Sequence, residues 1–117
     1  MSTHSYIAIE NKNGSIDAVY CHFDGYIEGG VGETLFTHYN ERKLIQQLIS
    51  RGGISSLGDT IDDTDFYHRD HKEPLIVKHY RNKDDFKRDS SVDYKYLFTL
   101  DNEWVVQGPF GRFTVLM

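Results

Sequence analysis

The chain has 117 residues, of which 38% are hydrophobic and 14% aromatic, with a formal net charge of −5. This composition predicts one folded domain over residues 1–117 and excludes a disordered chain. The acidic balance disfavours binding to a nucleic-acid backbone. No segment reaches the roughly 18 apolar residues of a membrane span, and residues 1–12 lack the pattern of a signal peptide. A single cysteine, Cys21, allows no internal disulfide, so we expect a cytoplasmic protein without membrane contact.

The first local signal is a β-hairpin. The runs "SYIAIE" (5–10) and "IDAVYCHF" (16–23) read as strands, and Asn13-Gly14 between them predicts a type I′ turn. Period-2 geometry sorts the second strand into two faces. We expect the core face to carry Val19, Cys21 and Phe23. The opposite face then carries Ala18, Tyr20, His22 and Asp24. This assignment makes Cys21 a buried small hydrophobe rather than a nucleophile.

The pattern becomes helical in the next segment. Apolar residues three and four apart predict one main helical segment within residues 31–51. Asn40 is the expected N-cap of a second short helix, and Gly52-Gly53 supplies the C-terminal stop. Residues 54–73 show no period, so they are expected to form a long functional or disordered loop.

The C-terminal part reads mainly as strands. We expect strands at 74–81 and near the C-terminus ("RFTVLM"), a helical turn capped by Asn82, and a hairpin around Asp101-Asn102. Strands grouped around one helical segment predict an α+β fold, with a mainly antiparallel sheet and the helical segment packed on one face.

Glycines precede the predicted helix. Gly29, Gly30 and Gly32 place flexible backbone where unpaired N–H groups meet the positive end of a helix, which suits an anion. The segment lacks the Gly-Lys-Ser/Thr ending of a phosphate-binding loop. Glu28 and Glu33 oppose an anion, so the sequence favours a tight corner while the anion site stays open as an alternative.

The run "FYHRDHKE" (66–73) is rich in groups that carry chemistry. Its histidines and aspartate do not follow a recognised metal-ligand spacing, so we predict no metal and no cofactor. Arg69 and Lys72 are cations available to a phosphate or to an acidic partner surface. Tyr67 stacks on a base or, as the simpler alternative, anchors the loop to the core.

Several segments together resemble a known family. The stretches "YCHFDGY", "VGETL" and "YHRD", with the sequence around them from residue 5 to "EWVV", are similar to a family of small accessory proteins of bacteriophages and prophages. The chain departs from that pattern in having Gly29-Gly30 where one glycine is expected. The resemblance implies a phage or prophage origin, action in the host cytoplasm and a role against host defences. It transfers no catalytic residue.

Three functions follow as hypotheses. The first is a binding inhibitor of a bacterial defence system, anti-CRISPR-like or of another kind, which contacts a host defence protein or sequesters a phosphate-bearing nucleotide signal. The second is an enzyme acting on a nucleotide or nucleic acid with His22 or His68 as general base. The third is a structural or regulatory phage protein that forms a homo-oligomer through a free sheet edge. No catalytic residue is assigned. The predicted recognition surface consists of Tyr20, His22, Asp24, Tyr26, Gly29, Gly30, Tyr67, His68, Arg69 and Asp70.

Overall fold

The computed structural model describes residues 2–109, 111 and 113–116. Within them the chain forms one mixed sheet and four helices, which confirms the α+β fold. The strands are β1 (Ser5–Glu10), β2 (Ile16–Cys21), β3 (Ile54–Ser56), β4 (Asp65–Phe66), β5 (Lys78–Tyr80), β6 (Tyr94–Phe98), β7 (Trp104–Gln107) and β8 (Thr114–Val115). The helices are α1 (Val31–His38), α2 (Arg42–Ser50), α3 (Tyr67–His71) and α4 (Lys83–Arg88).

The sheet has the order β4-β3-β2-β1-β6-β7-β8, and most of its pairs are antiparallel. The pairs β1–β6 and β2–β3 are parallel. One edge of β2 is shared by two strands. Ile16 to Ala18 pair with β5, whereas Cys21 pairs with Ile54 of β3. The two partners therefore diverge beside Val19 and Tyr20, and this divergence positions the site described below.

Both faces of the sheet are covered. The larger core lies under α1 and α2 and contains Ile7, Val19, Cys21, Leu35 and Leu48. On the other face, Tyr6, Ala8, Ala18 and Leu97 pack with Phe86 of α4. The predicted face assignment is thus right for Val19 and Cys21. The opposite face, expected to be polar, holds a second small core.

The first hairpin is confirmed, but its turn differs from the expected type. Gly14 has a φ of 87°, whereas Asn13 does not have a positive φ. The Gly14 amide donates to the Asn11 carbonyl at 2.9 Å. This arrangement matches a type I turn followed by a glycine bulge rather than a type I′ turn.

The prediction that Phe23 belongs to the core is wrong, since its side chain is 43% exposed. The amides of His22 and Phe23 donate to the carbonyls of Ile54 and Ser55, two consecutive donors toward the same neighbouring strand. Regular alternation is lost at such an irregularity. The chain then turns at Asp24, which has a φ of 58°.

The helical segment is interrupted near Asn40, as expected, but Asn40 is not the N-cap of α2. That position belongs to Glu41, whose side chain makes no capping hydrogen bond. The side-chain amide of Asn40 instead donates to the Phe36 carbonyl at 2.9 Å, so it closes the end of α1. Gly52 ends α2 with a φ of 82°, which confirms the predicted stop.

Residues 54–73 are not a structureless loop. They contain β3, β4 and α3, and Thr64 and Phe66 are buried. The predicted strand at 74–81 is shorter than expected, since only Lys78–Tyr80 pair with β2. Asn82 does cap α4, because its side chain accepts a hydrogen bond from the Asp85 amide.

The hairpin of β6 and β7 around Asp101-Asn102 is confirmed. The expected C-terminal strand appears as β8, while Arg112 and Met117 of that prediction lie outside the described residues. Among the residues that are described, no helix combines the length and the apolar character that a membrane crossing requires.

Candidate functional site

A pocket of about 310 Å³ lies where β3 and β5 diverge from β2. Its lining consists of Tyr6, Tyr20, Gly53, Tyr67, Glu73, Pro74, Ile76 and Lys78. Tyr6 and Tyr20 are directly opposed in the β1–β2 register, and their rings meet edge to face with centroids 6.3 Å apart. The pocket therefore has a floor fixed by the first hairpin and walls supplied by residues far along the chain.

Hydrogen bonds fix the ring of Tyr20. Its phenol oxygen lies 2.9 Å from His4 Nδ1 and 2.8 Å from His22 Nδ1. Burial raises the pKa of Tyr20, so the phenol stays protonated. The hydroxyl is bonded to the two histidines, so Tyr20 contributes its ring to the pocket wall.

Tyr6 is held by a second hydrogen-bonded cluster. Lys78 Nζ donates to Tyr6 Oη at 2.7 Å and to Asp89 at 3.2 Å, and Tyr6 Oη lies 2.8 Å from Ser91 Oγ. The Ser91 hydroxyl and the Tyr80 hydroxyl both donate to Asp89. Burial opposes the charge of the Asp89 carboxyl, but these hydrogen bonds outweigh it and lower its pKa. The positive charge of Lys78, which lines the pocket, is thus compensated by the Asp89 carboxylate.

The third ring comes from α3. The Tyr67 amide donates to the Gly53 carbonyl at 3.1 Å, and a Cβ added at Gly53 would lie 3.3 Å from the Tyr67 ring. Gly53 is therefore a close-approach position for this ring. Burial raises the pKa of Tyr67. The Glu73 amide donates to the Tyr67 carbonyl at 3.0 Å, and Glu73 is also one of the lining residues.

The structure brings together only part of the predicted recognition surface. Tyr20 and Tyr67 both line the pocket, so the "YCHFDGY" and "YHRD" segments do meet. His22 supports Tyr20 from outside the lining, and His68 Nδ1 lies 2.8 Å from the Glu73 carbonyl oxygen, to which it donates. His68 borders a different cavity together with Arg51. The two histidines proposed as general bases do not share the pocket.

The glycine turn is a closed corner. Each first-turn amide that could face an anion donates to the chain itself: Val31 N to Asp24 O at 2.8 Å, Gly32 N to Tyr26 O at 3.3 Å and Glu33 N to Ile27 O at 2.9 Å. The Gly29 amide donates to the Glu33 carboxylate at 3.3 Å, and the Tyr26 hydroxyl donates to Asp24 at 3.1 Å. This geometry favours the corner over the anion site, and it places Asp24, Tyr26, Gly29 and Gly30 outside the pocket lining.

Side-chain hydrogen bonds of Arg69 and Asp70 hold the backbone of residues 61–70 in place. Arg69 donates to the carbonyls of Ile61 at 3.2 Å and Thr64 at 2.6 Å, and to Asp70 at 2.9 Å through Nε and Nη2. Its guanidinium also lies 4.8 Å from the centroid of the Phe66 ring. Asp70 in turn accepts from the Phe66 amide at 2.8 Å. Arg69 is engaged within the protein rather than presented to a phosphate.

Within residues 2–109, 111 and 113–116, no three histidine, cysteine, aspartate or glutamate side chains are grouped so that they could hold a metal ion. Cys21 is fully buried, and burial raises the pKa of its thiol to about 12, which suits a packing role.

Sequence reasoning missed Tyr6, Gly53, Glu73, Pro74, Ile76 and Lys78 as lining residues. One signal was present, since the apolar run Leu75-Ile76-Val77 precedes only a short strand. Its side chains are 47%, 61% and 37% exposed, and Ile76 borders the pocket. We call Leu75–Val77 the apolar strip. Comparisons of this chain with protein-family models, with curated proteins and with solved structures give no match in any of the three.

Proposed function

We propose that this protein is a phage or prophage accessory protein that inhibits a bacterial defence system by binding a defence protein. The observation that carries the proposal is the apolar strip beside the tyrosine-lined pocket. Three consecutive large apolar residues are exposed: Ile76 borders the tyrosine-lined pocket, whereas Leu75 and Val77 border two neighbouring cavities that polar residues mostly line. Exposed apolar patches of this kind mark protein interaction sites. Tyrosine-rich surfaces offer large contact area at low entropic cost.

The geometry favours protein contact over capture of a nucleotide signal. The amides at the start of α1 are occupied by the chain's own carbonyls, and Arg69 donates to its own loop. Lys78 is compensated by Asp89. The amides and Arg69, which the sequence offered to a phosphate, are therefore already engaged, and Lys72, the other cation it offered, does not line the pocket.

The test is a phage plating assay in bacteria that carry one defence system each. Expression of the wild-type protein should restore plating against at least one system. Ile76→Asp places a charge in the apolar strip and should abolish this effect. Leu100→Asp is the matched control, because Leu100 is 44% exposed and does not line the pocket. It should retain full inhibition.

Two results would contradict the proposal. The first is wild-type inhibition by Ile76→Asp at unchanged thermal stability. The second is a stable dimer, measured by size-exclusion chromatography with light scattering, that Ile76→Asp dissociates. The second result would assign the apolar strip to self-association and support the structural or regulatory alternative.

A further inference from the structure

We infer that the tyrosine-lined pocket receives an arginine side chain of the partner protein. The inference rests on the proposed function, since it names the group that enters the docking surface. It requires a pocket of side-chain size, aromatic walls with fixed orientation and a negative charge that no protein group compensates.

The size of the pocket suits one side chain. Its volume of about 310 Å³ lies at the lower end of the range, about 300–1,000 Å³, that small-molecule pockets occupy. Most of the lining is ring carbon and aliphatic carbon from the three tyrosines, Pro74 and Ile76. A long side chain with an apolar stem and a flat end matches such walls.

The walls are held in place before any ligand arrives. The hydroxyl of Tyr20 is bound by His4 and His22, and that of Tyr6 is bound by Lys78 and Ser91. These bonds leave the ring of Tyr20 rather than its hydroxyl available to a ligand, whereas Lys78 Nζ already lies 4.8 Å from the centroid of the Tyr6 ring. The ring faces of tyrosine are negative and attract cations, arginine in particular. Preorganised walls lower the ordering cost of binding.

The charges around the pocket select a cation. Lys78 and Asp89 lie 3.2 Å apart and compensate each other. Glu73 is exposed at the rim, and none of the ion pairs found among the described residues includes it. The pocket lining together with Asp89 therefore carries one negative charge in excess, that of Glu73, while the exposed Lys72 next to it in the sequence does not line the pocket. An anionic ligand in the pocket would meet Glu73, because Lys78, the one cation of the lining, is already paired with Asp89.

Arginine suits this combination better than lysine. The guanidinium is planar, stacks on aromatic rings and forms two parallel hydrogen bonds with a carboxylate. It is also more weakly hydrated than an ammonium, so entry into an apolar pocket is less costly. Glu73 of the lining offers a carboxylate, and Tyr20 and Tyr67 offer the rings, since Lys78 Nζ already lies over the ring of Tyr6. Arginine is among the residues that dominate binding energy at protein interfaces.

The experiment uses three probes, N-acetyl-arginine amide, N-acetyl-citrulline amide and N-acetyl-norleucine amide, each titrated into the full-length protein. Citrulline has nearly the shape of arginine without its charge. Aromatic resonances of Tyr6, Tyr20 and Tyr67 are followed by NMR. We expect a saturable shift with arginine amide, with a dissociation constant of about 1–10 mM as for a single side chain. Citrulline amide and norleucine amide should bind at least about threefold more weakly, the loss expected for an exposed cation–π contact.

Variants of the rim locate the charge effect. Glu73→Gln should weaken arginine amide about threefold or more and leave citrulline amide unchanged. Glu28→Gln is the matched control, because Glu28 is also exposed and does not line the pocket. Equal affinity for all three probes would overturn the inference. So would an affinity for arginine amide that is the same in the wild type and in Glu73→Gln. The plating assay separates the two proposals. Inhibition that depends on Ile76 while arginine amide does not bind would refute the arginine pocket alone.

Discussion

The phenol oxygen of Tyr20 bridges two histidines, at 2.9 Å from His4 Nδ1 and 2.8 Å from His22 Nδ1. His4 Nδ1 also lies 2.9 Å from the His22 carbonyl oxygen, which only accepts, so this nitrogen carries the proton. Tyr20 Oη therefore accepts from His4 and donates to His22 Nδ1. Neutral His22 must then carry its own proton on Nε2.

Tyr20→Phe removes this bridge and tests it. We expect a loss of about 1 kcal/mol in unfolding free energy, the usual net worth of one hydrogen bond. The nitrogen chemical shifts of neutral His22 should report the Nε2–H tautomer in the wild type and a mixture of tautomers in the variant. Tyr26→Phe serves as control, since Tyr26 is 39% exposed and should change stability by less. An unchanged tautomer in Tyr20→Phe would contradict the bridge.

Substitutions of the adjacent residues Gly29 and Gly30 should change the unfolding free energy by different amounts. A Cβ at Gly30 would lie 2.5 Å from the carbonyl oxygens of Asp24 and Tyr26, both backbone atoms that cannot move aside without shifting the corner. Gly30→Ala should lower the unfolding free energy by about 1–3 kcal/mol or more. Gly29→Asn should cost less, about 1 kcal/mol, because nothing lies within 4 Å and asparagine tolerates the φ of 72°. Urea unfolding measures both, and equal losses would refute the steric explanation.

Cys21 should be chemically silent in the folded protein. Its side chain is fully buried, and burial raises the pKa of the thiol to about 12, so almost no thiolate exists at pH 8. Ellman's reagent at pH 8 should react only after denaturant is added. Cys21→Ala should cost roughly 1–2 kcal/mol through lost packing and leave binding intact. Rapid labelling of the native protein would show that the residue is accessible.

Arg69 should act on stability rather than on ligand affinity. Arg69→Ala leaves the carbonyls of Ile61 and Thr64 without their donor, and it frees Asp70 from its ion pair. We expect a lower melting temperature and faster proteolysis within residues 57–66. Arg69→Lys should rescue little, because one ammonium cannot reproduce the planar set of donors. A variant with wild-type stability but lost inhibition would return Arg69 to the recognition surface.

The Asp89 carboxyl should make the unfolding free energy depend on pH in the acidic range. Its hydrogen bonds lower the pKa of the folded carboxyl below 3.8, so its contribution to stability is present above that pH and is lost as the pH falls toward the folded pKa. Asp89→Asn should cost about 1.5–3 kcal/mol at pH 7, and this difference should shrink as the pH falls below 4. Unfolding curves at several pH values test this. Asp101→Asn, at an exposed turn position, should leave the curve unchanged, and a constant difference in Asp89→Asn at all pH values would contradict the assignment.

Elements with local signals were predictable from the sequence. Asn13-Gly14 and Asp101-Asn102 mark hairpins, and Asn82 marks the start of α4, because turns and caps depend on a few adjacent residues. The strands β3 and β4 were missed, since each has two or three residues and is defined by partners elsewhere: Ile54 pairs with Cys21 and Phe66. Such pairings leave no periodic pattern to read.

The pocket was only half predictable for the same reason. Tyr20 and Tyr67 belong to segments that the sequence singled out, but their neighbours Tyr6 and Lys78 lie on strands whose contact is set by the sheet order. The hydrogen bonds of Arg69 to its own loop were not predicted, because an arginine in a polar stretch has the same local sequence pattern whether it faces solvent or nearby carbonyls. Only the folded path of residues 61–70 decides between them.

Because β3 and β5 both pair with the same edge of β2, residues 57–77 form the connection between them. We call this connection the excursion. The excursion is closed at its base, where a Cβ at Gly52 would lie 3.1 Å from the Ile76 nitrogen. It carries Tyr67, Glu73 and the apolar strip, whereas the registers of β1 with β2 and β6 are set without it. Glu73 and the apolar strip can therefore change without altering these central registers, whereas Phe66 of the same segment is fixed by its place in the larger core.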